Sequence, residues 1–329
     1  MASKIQRPLF IFGCPRSGTS LLSRMLNQHP NIAIPYESHL YNWVYPLLRR
    51  SGALFDPRAR PWIVAQILRT DYMRDWVPRP SLTDTVAAIT RDDFHGIVEG
   101  LMRAWTAGQG KSRWGEKTPQ HTLCWRTIRE GFPDLQVLHL TRDGRDVALS
   151  YRAAHFGPKH VYELARRWVQ YLSAAEAAEA ALGQGAFLTV RYESLVDQPE
   201  GELQRICAFL GEEYTPDMLT FYSRGGDYPT DRRNLDNLRR PVLTGNSGKW
   251  RSQMTAREVR IFEAIAGDYL ERYGYGRSLR NPRISAWEAF SCRYLEHPPL
   301  RAIAMLHNRQ GHRLAMQELL LRLRLRMGI

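Results

Sequence analysis

The sequence predicts an α/β protein: a parallel sheet covered on both faces by helices, with a helical appendage at the C-terminal end. Two observations carry this. Short apolar runs suited to buried parallel strands recur at Leu9–Phe12, Gln136–Leu140 and Ala186–Val190, and each is followed by a polar stretch and then by helical periodicity. The first of these runs leads into Gly13–Ser20, a glycine-bracketed turn placed where a strand passes into a helix. Such a turn presents backbone N–H groups and the positive end of a helix dipole, which suits a phosphate or sulfate group.

In chain order, Thr19–Gln28 is expected to be the helix behind the loop, ended by His29-Pro30-Asn31. Ile32–Tyr36 is an extended segment that returns toward the sheet and delivers Glu37 near its end. From Trp43 to Pro80 the chain is aromatic and basic with scattered prolines, consistent with short helices over the active face. Phe94, Ile97, Val98, Leu101, Met102 and Trp105 fall at helical spacing, and their apolar stripe is expected to be core. Arg113–Pro119 reads as a polar loop before a helix from Gln120 to Arg129. After the second strand, Thr141–Asp146 and a helix through Arg152 repeat the plan of the first unit. Helices follow at Val161–Leu182, at Pro199–Leu210 with Gly211 closing it, and at Thr255–Arg272. The stretch beyond Asp227 is polar and basic up to Asn246–Trp250.

The chain of 329 residues is 43% hydrophobic, enough for a buried core, and carries a net charge of +13. That charge points to anionic small molecules, polyanions or an anionic membrane surface as partners. Cys14, Cys124, Cys207 and Cys292 are too scattered for a zinc site or a disulfide scaffold. No stretch of the sequence reads as a signal peptide or a membrane span, so a soluble cytoplasmic protein is expected.

Against the Walker pattern G-x-x-x-x-G-K-[ST], Gly13, Gly18 and Ser20 match but Thr19 stands where the lysine belongs. In a nucleotide triphosphatase the lysine reaches the outer phosphates and the hydroxyl holds magnesium. Here Arg16 is the only cation of the loop, so a P-loop NTPase-like sheet binding an anion without metal is expected. A degenerate P-loop nucleotide-binding protein or kinase is the alternative. It lacks a convincing metal-binding aspartate, because Gln136–Leu140 runs into Thr141-Arg142.

Four stretches together, Pro15–Leu22 (PRSGTSLL), Trp114–Pro119 (WGEKTP), Thr141–Ser150 (TRDGRDVALS) and Val190–Val196 (VRYESLV), resemble the PAPS-dependent sulfotransferases. The nearest branch is the one that includes tyrosylprotein and bacterial sulfotransferases. The resemblance runs from residue 8 to 251, which implies a sulfotransferase domain over 1–282 and a basic extension over 283–329. It implies a 5'-phosphosulfate loop formed by Pro15, Arg16, Ser17, Gly18, Thr19 and Ser20, and a 3'-phosphate pair formed by Arg142 and Ser150. Tyr192 resembles a family tyrosine near the nucleotide, and Ser247 and Lys249 resemble donors from a late loop that closes over PAPS or its product PAP. Where some relatives carry a further phosphate-binding arginine, this chain has Ala154, with Arg152 or Lys249 as substitutes.

The resemblance further implies in-line transfer of a sulfuryl group to an acceptor hydroxyl or amine, with Glu37 as general base, Lys117 offsetting charge on the bridging oxygen and Arg16, the loop cation, as the third catalytic residue. His39 is the rival base, and the alternative for Lys117 is a surface pair with Glu116. The acceptor class stays open among small molecules, carbohydrates, lipids and peptides, and no nucleic-acid partner is expected. Between Leu300 and Ile329 lie six arginines and one glutamate, with leucines crowded at 319–325. This basic amphipathic segment is expected to make a peripheral membrane contact or a homo-oligomer, or to be a helix docked on the main domain.

Overall fold

Leu9–Phe12 forms β1, and all four side chains are buried, as a strand covered on both faces requires. The structure is a computed structural model that describes residues 7–52, 57–154, 156–223, 238–242 and 245–327. Around β1 a five-stranded sheet is completed by β2 (Ile32–Ala33), β3 (Arg113–Glu116), β4 (Gln136–Thr141) and β5 (Phe187–Arg191). The order is β2-β3-β1-β4-β5 and every pairing is parallel. Consecutive strands leave β1 on one side and then cross to the other, so the sheet switches direction beside β1. A crevice opens at the carboxyl end of the strands at such a point.

β3 corrects the expectation of a polar loop at Arg113–Pro119. Its charged residues are buried because distant partners satisfy them. Arg113 donates to Leu210 O, to Glu212 and to Gln136, and Glu116 accepts from Ser38, Thr118 and His121. A strand made this way carries no apolar signature, since its compensation comes from other elements. The helix expected over Gln120–Arg129 is likewise split into a 3₁₀ turn, Pro119–Cys124, and a helix, Trp125–Gly131.

The remaining helices lie close to expectation: Thr19–Leu26, Phe94–Gly108, Gly144–Ala153, Val161–Leu182, Pro199–Leu210 and Ala256–Arg272. Thr255 and Glu258 form a capping box at the start of the last of these. Residues 43–80 contain the short helices Tyr45–Ser51, Arg60–Leu68 and Asp71–Arg74, as expected of that stretch. The polar stretch expected beyond Asp227 falls largely outside the described residues. The core forms two apolar clusters: the first includes the strands of the sheet, and the second, built around Trp168, Tyr171 and Phe262, also contains Cys14 and Cys292. All four cysteines are free thiols. Among the described residues no helix is long and apolar enough to cross a membrane.

Candidate active site

The loop after β1 owes its shape to two glycines. A Cβ on Gly13 would lie 2.5 Å from the Leu140 carbonyl oxygen, and one on Gly18, at φ 96°, would lie 2.4 Å from the Tyr192 ring. The loop is thus wedged between β4 and the segment after β5, where only glycine fits. A hydrogen bond from Ser17 N to Cys14 O at 3.1 Å closes the turn. The helix that follows has neither a side-chain cap nor an acidic residue in its first turn, so no side chain of its own first turn neutralises its positive end. Ser17 Oγ is buried there without a partner. An unsatisfied buried hydroxyl at an uncapped helix start fits an anion's oxygens.

Lys117 leaves β3 at the carboxyl edge of the sheet and is fully buried. Its Nζ donates to Glu37 Oε1 at 2.7 Å and to Ser20 Oγ at 3.1 Å, and lies over the Tyr36 ring. Glu37 and Lys117, 80 residues apart in sequence, are therefore joined at the loop's last hydroxyl. His39 Nε2 stands 3.4 Å from the other oxygen of Glu37. Burial raises the proton affinity of a carboxylate, but Lys117, aided by His39, outweighs it and holds Glu37 well below the usual carboxylate range. The surface pair of Lys117 with Glu116 is not what forms.

Glu116 instead organises a network that the sequence did not reveal. It accepts from Ser38 Oγ (2.8 Å), Thr118 Oγ1 (2.6 Å), Thr118 N (3.2 Å) and His121 Nδ1 (2.7 Å). Thr118 Oγ1 in turn accepts from Ser38 N and His39 N, and His121 Nε2 accepts from Tyr41 N. These bonds pin the residues on either side of Glu37 and Lys117 to one another. Burial works against the Glu116 carboxylate, but His121 and the hydroxyl donors keep it ionised below its ordinary range. The available sequence signal was only that Glu116 and Thr118 bracket Lys117.

The second cluster gathers at the end of β4. Arg142 donates to Arg16 O at 3.3 Å and Asn246 O at 2.6 Å and stacks over the Tyr192 ring, while its Nε is buried without a partner. Neither Asp143 nor Asp146 takes Arg142: Asp143 pairs with Arg145, and Asp146 accepts from Gly248 N and Trp250 N. Asp146 thus holds the late loop, whose Asn246 donates to the Tyr192 hydroxyl and accepts from Lys249. Ser247 lies in this loop between them. Arg152 is engaged by Glu258 at 2.6 Å, which leaves Lys249 as the cation beside the cluster. Arg16, a non-glycine residue at φ 76°, donates from Nε to Ser150 Oγ at 3.0 Å. The loop arginine therefore stands with Ser150 and Arg142.

A family model described as the sulfotransferase family matches residues 8–216, more than half of the chain. The chain is 26% identical over 302 residues to nodulation protein NoeE of Sinorhizobium fredii, covering 83% of this chain and 67% of that protein. It is 23% identical over 295 residues to a putative protein-tyrosine sulfotransferase of Caenorhabditis briggsae, covering 87% and 95% respectively. Its fold is similar to that of the sulfotransferase domain of the Synechococcus PCC 7002 olefin synthase. There the TM-score is 0.57 at 21% identity, over 81% of this chain and 97% of that one.

Proposed function

The chain belongs to the sulfotransferase family, and from that premise we propose that it moves a sulfuryl group from PAPS to an acceptor hydroxyl or amine, with Glu37 as general base and no metal ion. The observation that carries this reading is the position of Lys117 Nζ between Glu37 and Ser20, which puts base, cation and anion loop in one hydrogen-bonded chain. The family assignment replaces the kinase or simple nucleotide-binding alternative.

The residues present fit PAPS. The donor has anionic groups on both sides of its adenosine, and the site has a buried unpartnered donor at each of two places: Ser17 Oγ at the uncapped helix start, and Arg142 Nε in the cluster with Arg16 and Ser150. Pro15–Ser20 would hold the phosphosulfate, with Gly18 against Tyr192 fixing the loop. Arg142, Ser150 and the Arg16 guanidinium would hold the 3' phosphate, with Tyr192, Ser247 and Lys249 closing the late loop. When bound, PAPS supplies a sulfuryl group on a leaving phosphate.

Glu37 accepts the acceptor's proton, and Lys117 stabilises negative charge at the loop. The two roles are linked through their ion pair. As long as Lys117 faces Glu37, the carboxylate is held at low proton affinity and is a weak base. A shift of Lys117 toward charge developing near Ser20 releases the carboxylate to take a proton. The acceptor itself is a hydroxyl or amine carried by a small molecule, carbohydrate, lipid or peptide. Four free thiols support a reducing, cytoplasmic setting.

Transfer of label from sulfur-labelled PAPS in the presence of EDTA tests this reading, with slow PAPS hydrolysis as the assay when no acceptor is supplied. PAP at 100 times its dissociation constant should stabilise the fold by roughly 2.7 kcal/mol. A thermal shift seen with Mg-ATP but not with PAP would sink the proposal.

A further inference from the structure

The C-terminal segment is held to the domain at both ends and stands free of it between. At the near end Cys292 is buried in the second apolar cluster, while Arg257 and Arg260 pair with Glu288, and Arg257 and His160 with Glu296. The guanidinium of Arg257 on both Glu296 and Cys292 gives this group of side chains a tethering role. At the far end the helix Arg309–Met327 is seated by Leu321, by Arg313 on Asp71 at 2.9 Å and by Trp43 Nε1 on Glu318 at 3.1 Å.

The connecting helix His297–Leu306 buries none of its residues, although Leu300, Ile303, Met305 and Leu306 are apolar. Leu306 is 77% exposed. On the last helix Met316, Leu319, Leu320 and Leu323 repeat at i, i+3, i+4 and i+7 and are also exposed, opposite the seated stripe. Before them, Trp287 stacks on Phe290 and Phe290 on Tyr294, and Trp287 is 70% exposed. Twelve of the eighteen large apolar side chains exposed among the described residues lie in this one segment. A concentration of that size marks a surface with a partner.

Charge decides which partner. Residues 283–329 contain eight arginines and three glutamates, and each of the glutamates is paired: Glu288 and Glu296 with Arg257, and Glu318 with Arg322. Arg293 and Arg313 are paired in turn with Glu163 and Asp71 of the domain, and the charge left over on the other arginines is positive. A second copy docked through a two-fold axis would set this patch against itself, arginine against arginine. An anionic bilayer neutralises the arginines while its acyl region takes up the leucines, and Trp and Tyr suit the headgroup level.

We propose that residues 286–323 form a face that lies on an anionic lipid bilayer. The same helix braces Trp43, which packs edge-on to Tyr72, whose ring stacks at 4.2 Å on His39 beside Glu37. The bilayer thereby adjoins the wall of the site that faces the base. The proposal does not depend on the sulfotransferase chemistry, and PAP binding provides a separate check on that chemistry and on the fold.

The test is flotation of the full chain with vesicles of phosphatidylcholine containing phosphatidylglycerol, beside vesicles of phosphatidylcholine alone. The protein should float with the anionic vesicles, less so as salt is raised, and should stay at the bottom with the neutral ones. Ile303→Glu combined with Leu306→Glu, both fully outside the domain core, should lower the vesicle partition by roughly 100-fold, the worth of two aliphatic side chains, and leave the PAP thermal shift intact. Failure of the wild type to float overturns the proposal, as does flotation of the double variant at the wild-type level. A wild-type dimer in size exclusion that the double variant converts to a monomer would assign the face to a second copy instead.

Discussion

Two strand–turn–helix units, one after β1 and one after β4, look alike in sequence and do opposite things with their helix starts. After β1 the helix begins at Gly18 with no side-chain cap and no acidic residue in its first turn, so its N–H groups stay open for an anion. After β4 the helix begins at Asp143, whose carboxylate accepts from Arg145 N, and Asp146 fills the first turn. Those carboxylates use up the positive helix end on the protein's own loops. The second unit is left to bind through side chains, with Arg142 before the helix, Ser150 along it, and Arg16 reaching across. The difference teaches that two units of one topology can part at their helix starts, where one or two residues set whether, in the proposed reading, backbone or guanidinium would hold an anion.

If the first unit performs the chemistry and the second only holds the nucleotide, substitutions should separate rate from affinity. The largest effect is expected at the β1 side. Glu37→Gln should lower kcat on the order of 10² to 10⁴, the usual cost of losing a general base. Its affinity for PAP, measured by thermal titration, should persist. Lys117→Ala should follow the same pattern, with its loss concentrated in kcat. At the β4 side Arg142→Ala should weaken PAP binding by about 1.5 to 3 kcal/mol, the worth of a charge-assisted contact. Ser150→Ala should do the same to a smaller degree, and turnover at saturating PAPS should be nearly retained in both. A collapse of kcat in Arg142→Ala with normal PAP binding would erase the division between the two ends.

The next effect is in acid stability. Lys117 keeps Glu37 ionised in the folded state below the unfolded carboxylate value of about 4.3, so the pair stabilises the fold at neutral pH. That contribution is lost as pH falls below the unfolded value toward the depressed folded one. The melting temperature of Glu37→Gln should therefore decline less steeply than that of the wild type on acidification. The smallest effect is expected for His39→Asn, which keeps most of the activity because His39 only flanks the carboxylate at 3.4 Å. Normal turnover in Glu37→Gln beside an inactive His39→Asn would move the base to the histidine.

The legible parts of this molecule are those whose signal is local. The loop was readable because a positive φ at Gly13 and Gly18 favours glycine from the local backbone alone. The helices Phe94–Gly108 and Val161–Leu182 were readable from periodic apolar faces. β3 was not, because its buried Arg113 is stabilised by groups 23 to 99 residues away, and Glu116 by Ser38, 78 residues away, besides its neighbours Thr118 and His121. Glu116 went unrecognised as the centre of the site's scaffold for the same reason. Arg16 was assigned to its own loop, and it donates to Ser150, 134 residues on.

By itself, then, the sequence determined a parallel α/β sheet and a glycine-bracketed loop without the Walker lysine, and it singled out Glu37, Lys117, Arg142 and Ser150 as the candidates for the proposed chemistry. Each of those rests on residue type and spacing over a short span. Only the tertiary structure decided that Lys117 bridges Glu37 and Ser20, that Asp143 and Asp146 close the second helix start, and that the leucines at 319, 320 and 323 of the last helix stand exposed. Those outcomes depend on which distant groups come within hydrogen-bonding reach or fail to cover one another, and that is set by strand order and packing rather than by any local pattern.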